Sequence, residues 1–145
     1  MTVAKVLSTK PVQGVHTIEP EVTIADAVTE LATRKIGALV VSSDGKIPVG
    51  ILSERDIVRE MAREGGAILT RKVSDLMTKD VKTCICEDRA ADILQVMTDG
   101  RFRHMPVMRD GGLVGVISLG DVVKARLSEV KVERDAMEAM IAGHG

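Results

Sequence analysis

Gly50-Ile51-Leu52-Ser53-Glu54-Arg55-Asp56 and Gly115-Val116-Ile117-Ser118-Leu119-Gly120-Asp121 share one pattern: glycine, two apolar residues, serine, two residues, aspartate. The similarity extends outward from both copies. Ahead of the first stand Ile36-Gly37-Ala38-Leu39-Val40-Val41 and Asp44-Gly45. Ahead of the second stand Phe102-Arg103-His104-Met105-Pro106-Val107 and Asp110-Gly111-Gly112. Further upstream, Thr17 matches Thr83, Asp26 matches Asp92 and Leu31 matches Met97. Even the lead-ins agree, since Thr9-Lys10 resembles Thr78-Lys79. The same features in the same order, twice, define an internal repeat.

Each half reads as strand, helix, strand, turn, strand, helix. His16-Thr17-Ile18 predicts a short strand ended by Pro20. Ile24, Ala27, Val28 and Leu31 fall at helical spacing, with Thr23 as N-cap. Ala38 to Val41 reads as a buried strand, Asp44-Gly45 as a hairpin turn and Val49 to Leu52 as the returning strand. Ser53 opens a helix carrying Ile57, Val58 and Met61 that stops at Gly65-Gly66. The second half repeats this with Ile93, Leu94 and Met97, then the Gly111-Gly112 turn, then Val122, Val123 and Leu127. The expected division is a first unit with its lead-in over 1–66, a linker and lead-in over 67–79, a second unit over 80–127 and a C-terminal helix extension and tail over 128–145, with the last helix running to about Ile141. Val130, Met137, Met140 and Ile141 on that extension form either a partner-facing stripe or one packed side of a solvated tail.

Composition removes several function classes. A length of 145 residues suits one compact domain or two very small ones, and 45% hydrophobic content suffices for a core. A net charge of −1 offers no basic face for nucleic acid. Phe102 is the only aromatic residue, so base-stacking platforms are excluded. Cys84 and Cys86 stand too close for a disulfide and lack the usual four-ligand set of a metal site. Small buried residues are the expected reading for both. Neither a signal peptide nor a run of about 18 apolar residues is present, so a soluble protein of the reducing cytosol is expected.

The repeated Ser-x-x-Asp motif has two readings. It resembles a capping box, in which serine and aspartate satisfy helix N-terminal N–H groups. The same geometry also suits a nucleotide. A helix N-terminus and a serine hydroxyl offer donors to phosphate, and an aspartate one turn in accepts from both ribose hydroxyls. The glycine allows close approach by backbone or ligand. Recurrence after two strand–turn–strand units favours the ligand reading, and the serine can still cap an empty site.

On these residues the chain resembles a tandem CBS-domain pair, also called a Bateman module, from about Ala4 to Lys124. The resemblance implies an α/β (α+β) fold of two β-α-β-β-α units related by a pseudo-twofold axis, commonly paired as a flat homodimer. It implies AMP, ADP, ATP, NAD/NADH or S-adenosylmethionine in clefts between the units. It further implies that Asp56 and Asp121 hold ribose hydroxyls and that Ser53 and Ser118, beside Gly120, hold phosphate or ribose. Thr17-Ile18 and Thr83-Cys84 would line the base, and Gly37-Ala38-Leu39 and His104-Met105-Pro106 would touch it through backbone and aliphatic surface. Arg55, Arg103 and His104 would contact phosphate. Each cleft would join the Ser/Asp of one unit to the leading and central strands of the other.

The halves differ where it matters. Gly37-Ala38 stands opposite Arg103-His104, and Val40 opposite Pro106, so two inequivalent sites are expected. Lys10 is expected to be solvated, although it lies where it could reach a phosphate. His16 reads as structural. The leading function is a non-catalytic regulatory module signalling in trans to a partner protein. A ligand-free scaffold is the alternative, and a small enzyme or redox protein built on His104 or the cysteines has no ordered constellation behind it.

Overall fold

The computed structural model describes residues 1–11 and 14–144. In chain order it comprises α1 (Val3–Ser8), β1 (Thr17–Ile18), α2 (Ile24–Arg34), β2 (Ala38–Val41), β3 (Gly50–Ser53) and α3 (Glu54–Glu64). A 3₁₀ turn (Gly65–Thr70) and α4 (Val73–Leu76) follow. The second half holds β4 (Cys84–Ile85), α5 (Ala90–Gly100), β5 (His104–Arg109), β6 (Gly112–Ser118) and α6 (Leu119–His144). Two three-stranded sheets have the same order, β1-β2-β3 and β4-β5-β6. In each, a short leading strand runs parallel to the central strand, which runs antiparallel to the last: Thr17 pairs with Val40 and Cys84 with Val107. The expected α/β repeat is present, with the long C-terminal helix.

The local signals explain these boundaries. Thr23 caps α2 by accepting from the Asp26 N–H at 3.2 Å. Gly65, at φ 70°, ends α3 where the backbone leaves helical space. The second hairpin turns through Asp110 and Gly111, both at positive φ, the conformation that a tight β-turn demands. The first hairpin is instead a longer loop. There the Asp44 carboxylate accepts from the Lys46 and Ile47 N–H groups, and Ser42 Oγ donates to it.

Each unit has its own core, and each core borrows the other unit's lead-in. Leu39, Leu52, Ile24 and Ile68 are buried together with Val73 and Leu76 of α4. Met97, Met105 and Ile117 are buried together with Val3 and Val6 of α1. The helix that precedes the second unit therefore packs on the first, and the N-terminal helix packs on the second. Residues 1–9, which the sequence groups with the first unit, thus lie against the other core. The glycines of the repeated motif make room for this exchange. A Cβ on Gly115 would stand 3.0 Å from a Leu7 methyl, and one on Gly50 would stand 2.8 Å from Met77 Cγ. The close approach anticipated for a ligand at these glycines is made here by a lead-in side chain.

The last helix runs beyond the expected end at Ile141, to His144. Val130, Met137, Met140 and Ile141 are all exposed on it, so in a single chain the stripe is not packed. Among the described residues no helix is long and apolar enough to cross a membrane.

Candidate functional site

Ser53 ends β3 and caps α3, and its motif forms a complete capping box. The Asp56 N–H donates to Ser53 Oγ at 3.2 Å, and the Ser53 N–H donates to Asp56 Oδ2 at 3.0 Å. The other carboxylate oxygen accepts from Arg59 at 2.7 Å. Ser118 and Asp121 repeat the reciprocal pair at 2.9 and 3.0 Å. The capping role is thus real in both copies. It holds each carboxylate at the N-terminus of a helix.

A cavity of about 430 Å³ opens beside the first motif. Arg55 and Asp56 reach it from α3, Ser53 from the end of β3, and Gly37 from just before β2 of the same unit. Arg103, His104 and Pro106 come from the second unit, with Thr78, Asp80 and Lys82 from the segment after α4. The volume lies in the range of small-molecule sites. Both units therefore build one wall each, and the exchanged lead-in closes the edge.

The second motif is arranged differently. Lys10 follows α1 and reaches Asp121 Oδ2 at 3.0 Å, while it also donates to the Val116 carbonyl at 2.7 Å. The lysine expected to be solvated is therefore anchored at the second aspartate. Burial opposes the ionised Asp121 carboxylate, yet the Ser118 N–H and the Lys10 ammonium outweigh it and hold its pKa below the ordinary value. A lowered folded-state pKa stabilises the fold above the ordinary carboxylate value of about 3.9, and that contribution is lost as pH falls toward the folded value. Lys10→Met is expected to raise the Asp121 pKa and narrow that window. An NMR titration of the side-chain carboxyl carbon checks this.

His104 stands between the two motifs. Its imidazole lies against Gly37, where a Cβ would stand 3.2 Å from Nε2 and 3.4 Å from a Glu54 oxygen. Glycine at 37 is what lets the imidazole cross to the other unit. Burial pushes the His104 pKa down. The Asp121 and Glu54 charges oppose this shift, and Lys10 and Arg103 add to it. The folded protein therefore holds this ring neutral at pH 7. The unfolded chain takes up the proton first, so stability should fall as pH drops below about 6.5. His104→Asn should show a smaller loss of stability between pH 7 and 5 than the wild type, measured by urea midpoints at both values.

The remaining anticipated residues divide by where their side chains go. Ile18, Leu39, Cys84 and Met105 point into the two cores, which leaves only their backbone for a ligand. Thr17 and Ala38 are half-buried, and Thr83 and Gly120 are exposed. Burial drives the Cys84 pKa up to about 12, with Asp88 and Cys86 adding to it, and Cys86 accepts from Arg109 at 3.3 Å. A thiol so protonated is a poor metal ligand or nucleophile. Sequence reasoning missed Arg59, Lys82 and Arg101 in the first cleft and misread Lys10 at the second motif. The resemblance of Thr9-Lys10 to Thr78-Lys79 was the available signal, since both dipeptides follow an exchanged helix.

Two repeated β-α-β-β-α units with a shared cleft define a tandem module of the CBS type. The CBS-domain profile matches residues 3–63 and 73–128, and the chain belongs to that family with two copies of the domain. It is 38% identical over 125 residues to the mitochondrial CBS domain-containing protein CBSX3 of Arabidopsis thaliana. That match covers 83% of this chain and 61% of the plant protein's length. Among solved structures, a CBS-domain containing protein of Agrobacterium tumefaciens is 44% identical with a TM-score of 0.82, covering 87% of this chain and 99% of that one. A CBS domain protein of Pyrobaculum aerophilum, solved in complex with AMP, is 27% identical with a TM-score of 0.72. It covers 83% of this chain and 89% of that one.

Proposed function

We propose that this chain is a non-catalytic regulatory module that binds an adenine nucleotide, AMP, ADP, ATP or NAD/NADH, in the clefts between its two units. The observation that carries the reading is the first cleft, in which Ser53, Asp56 and Gly37 of one unit face Arg103 and His104 of the other. Asp56 takes the ribose hydroxyls, Ser53 and Arg55 take ribose or phosphate, and His104 with Pro106 borders the base or phosphate. Ser118 and Asp121 form the counterpart in the second cleft, where a ribose must share Asp121 with Lys10 or displace it. The AMP held by the Pyrobaculum relative supports the ligand class.

A ligand touching both units favours the arrangement in which they are closed together, and this preference is what a partner would read. Val58 on α3 and Val123 and Leu127 on α6 are exposed apolar side chains that support pairing into a homodimer. A thermal-shift panel of AMP, ADP, ATP, NAD, NADH and S-adenosylmethionine tests the reading. At least one nucleotide is expected to raise the melting temperature in a concentration-dependent way. A rise with S-adenosylmethionine alone would replace the nucleotide by that ligand, and no rise with any compound would leave a ligand-free scaffold.

A further inference from the structure

The charges around the first cleft do not cancel. Arg59 is matched by Asp56, and Lys82 is matched by Asp80 at 3.4 Å. The remaining charged lining residues are Arg55, Arg101 and Arg103 against Glu54 alone, a surplus of two positive charges. Among the described residues none of these three arginines is in an ion pair. They come from three places: the first turn of α3, the C-cap of α5 and the approach to β5. Arg101 occupies that C-cap at φ 58°, a conformation for which glycine is the favoured residue. The chain as a whole carries a net charge of −1, so this concentration of cations is local.

From this we infer that the first cleft selects a ligand bearing a pyrophosphate, two or more linked phosphates, over a monophosphate. The inference rests on the adenine-nucleotide reading above. A monophosphate beside Ser53 can engage one of the arginines. The second phosphate is what brings the others within reach of an anion, and planar guanidinium groups suit its oxygens. At the second motif the Lys10 ammonium pairs with Asp121.

The test is isothermal titration of the 145-residue chain carrying Asp121→Ala, which silences the second cleft, with adenosine, AMP, ADP and ATP. Charge-assisted hydrogen bonds of the usual strength predict ADP at least about tenfold tighter than AMP, with the difference shrinking as salt is raised. In the further variant Arg55→Gln/Arg103→Gln, the ADP-to-AMP ratio should fall toward one while AMP affinity changes less. Equal affinity for AMP and ADP would overturn the inference, as would an equal loss of both in the arginine variant. If adenosine, AMP, ADP and ATP, with NAD and NADH titrated beside them, all fail to bind both this protein and the wild type, the nucleotide reading itself fails, which is a distinguishable outcome.

Discussion

Asp56→Ala combined with Asp121→Ala should abolish the nucleotide-dependent rise in stability while leaving a folded protein. At a ligand concentration a hundredfold above the dissociation constant, the wild type should gain about 2.7 kcal/mol, and the double variant should gain close to nothing. The variant also loses one half of each capping box, which costs about 0.5–2 kcal/mol per helix. The two effects separate cleanly if each protein is compared with its own ligand-free melting temperature. A capping role alone lowers the ligand-free value and leaves the increment intact. A ligand role removes the increment. Asp56 is the more telling position, since its residue is only 6% exposed and its carboxylate is fixed by Ser53 and Arg59 before any ligand arrives. Such a fixed acceptor loses little freedom on binding.

Val3→Ala with Val6→Ala is expected to destabilise the second unit by about 3 kcal/mol or more. Both valines are fully buried, although they lie in the first residues of the chain, where fraying is the usual expectation. Each truncation removes about two methylene equivalents and leaves a void between α1 and the second sheet. The helix is also tied by backbone, since the Val3 N–H donates to the Asp88 carbonyl and the Ala4 N–H to the Cys86 carbonyl. Urea unfolding followed by circular dichroism measures the loss. Were α1 a loosely attached leader, the midpoint would hardly move. Because Lys10 follows α1, the same variant should also loosen the Lys10–Asp121 pair.

The strands, helices and turns were largely legible because their signals are local. Thr23, Ser53 and Gly65 act within one helical turn of where they stand, and alternation in Gly50–Ser53 needs only the next strand to be read. The first copy of the repeated motif borders a cavity. What was hidden is long-range. Nothing local in Val3-Ala4-Lys5-Val6 says that its apolar side faces a core some eighty residues away in the chain. The same exchange decides which lead-in residues reach each motif, so Lys10 and the Thr78–Lys82 segment could not be assigned from their own surroundings. The apolar members of the expected site, Leu39 and Met105 among them, followed the strand's alternation inward. A strand lining a cleft gives its backbone and its outward side chains, and a residue run quoted whole cannot separate the two.

A nucleotide in the space between the units should perturb the backbone amides that line it. An amide ¹H–¹⁵N correlation spectrum of the full chain, titrated with ADP, tests that most directly. The predicted result is saturable shifts concentrated at Gly37, Ser53, Arg55, Asp56, Arg103 and His104, with smaller changes at Ser118 and Asp121. Shifts absent at saturating nucleotide, or confined to residues remote from both motifs such as the end of α6, would contradict it.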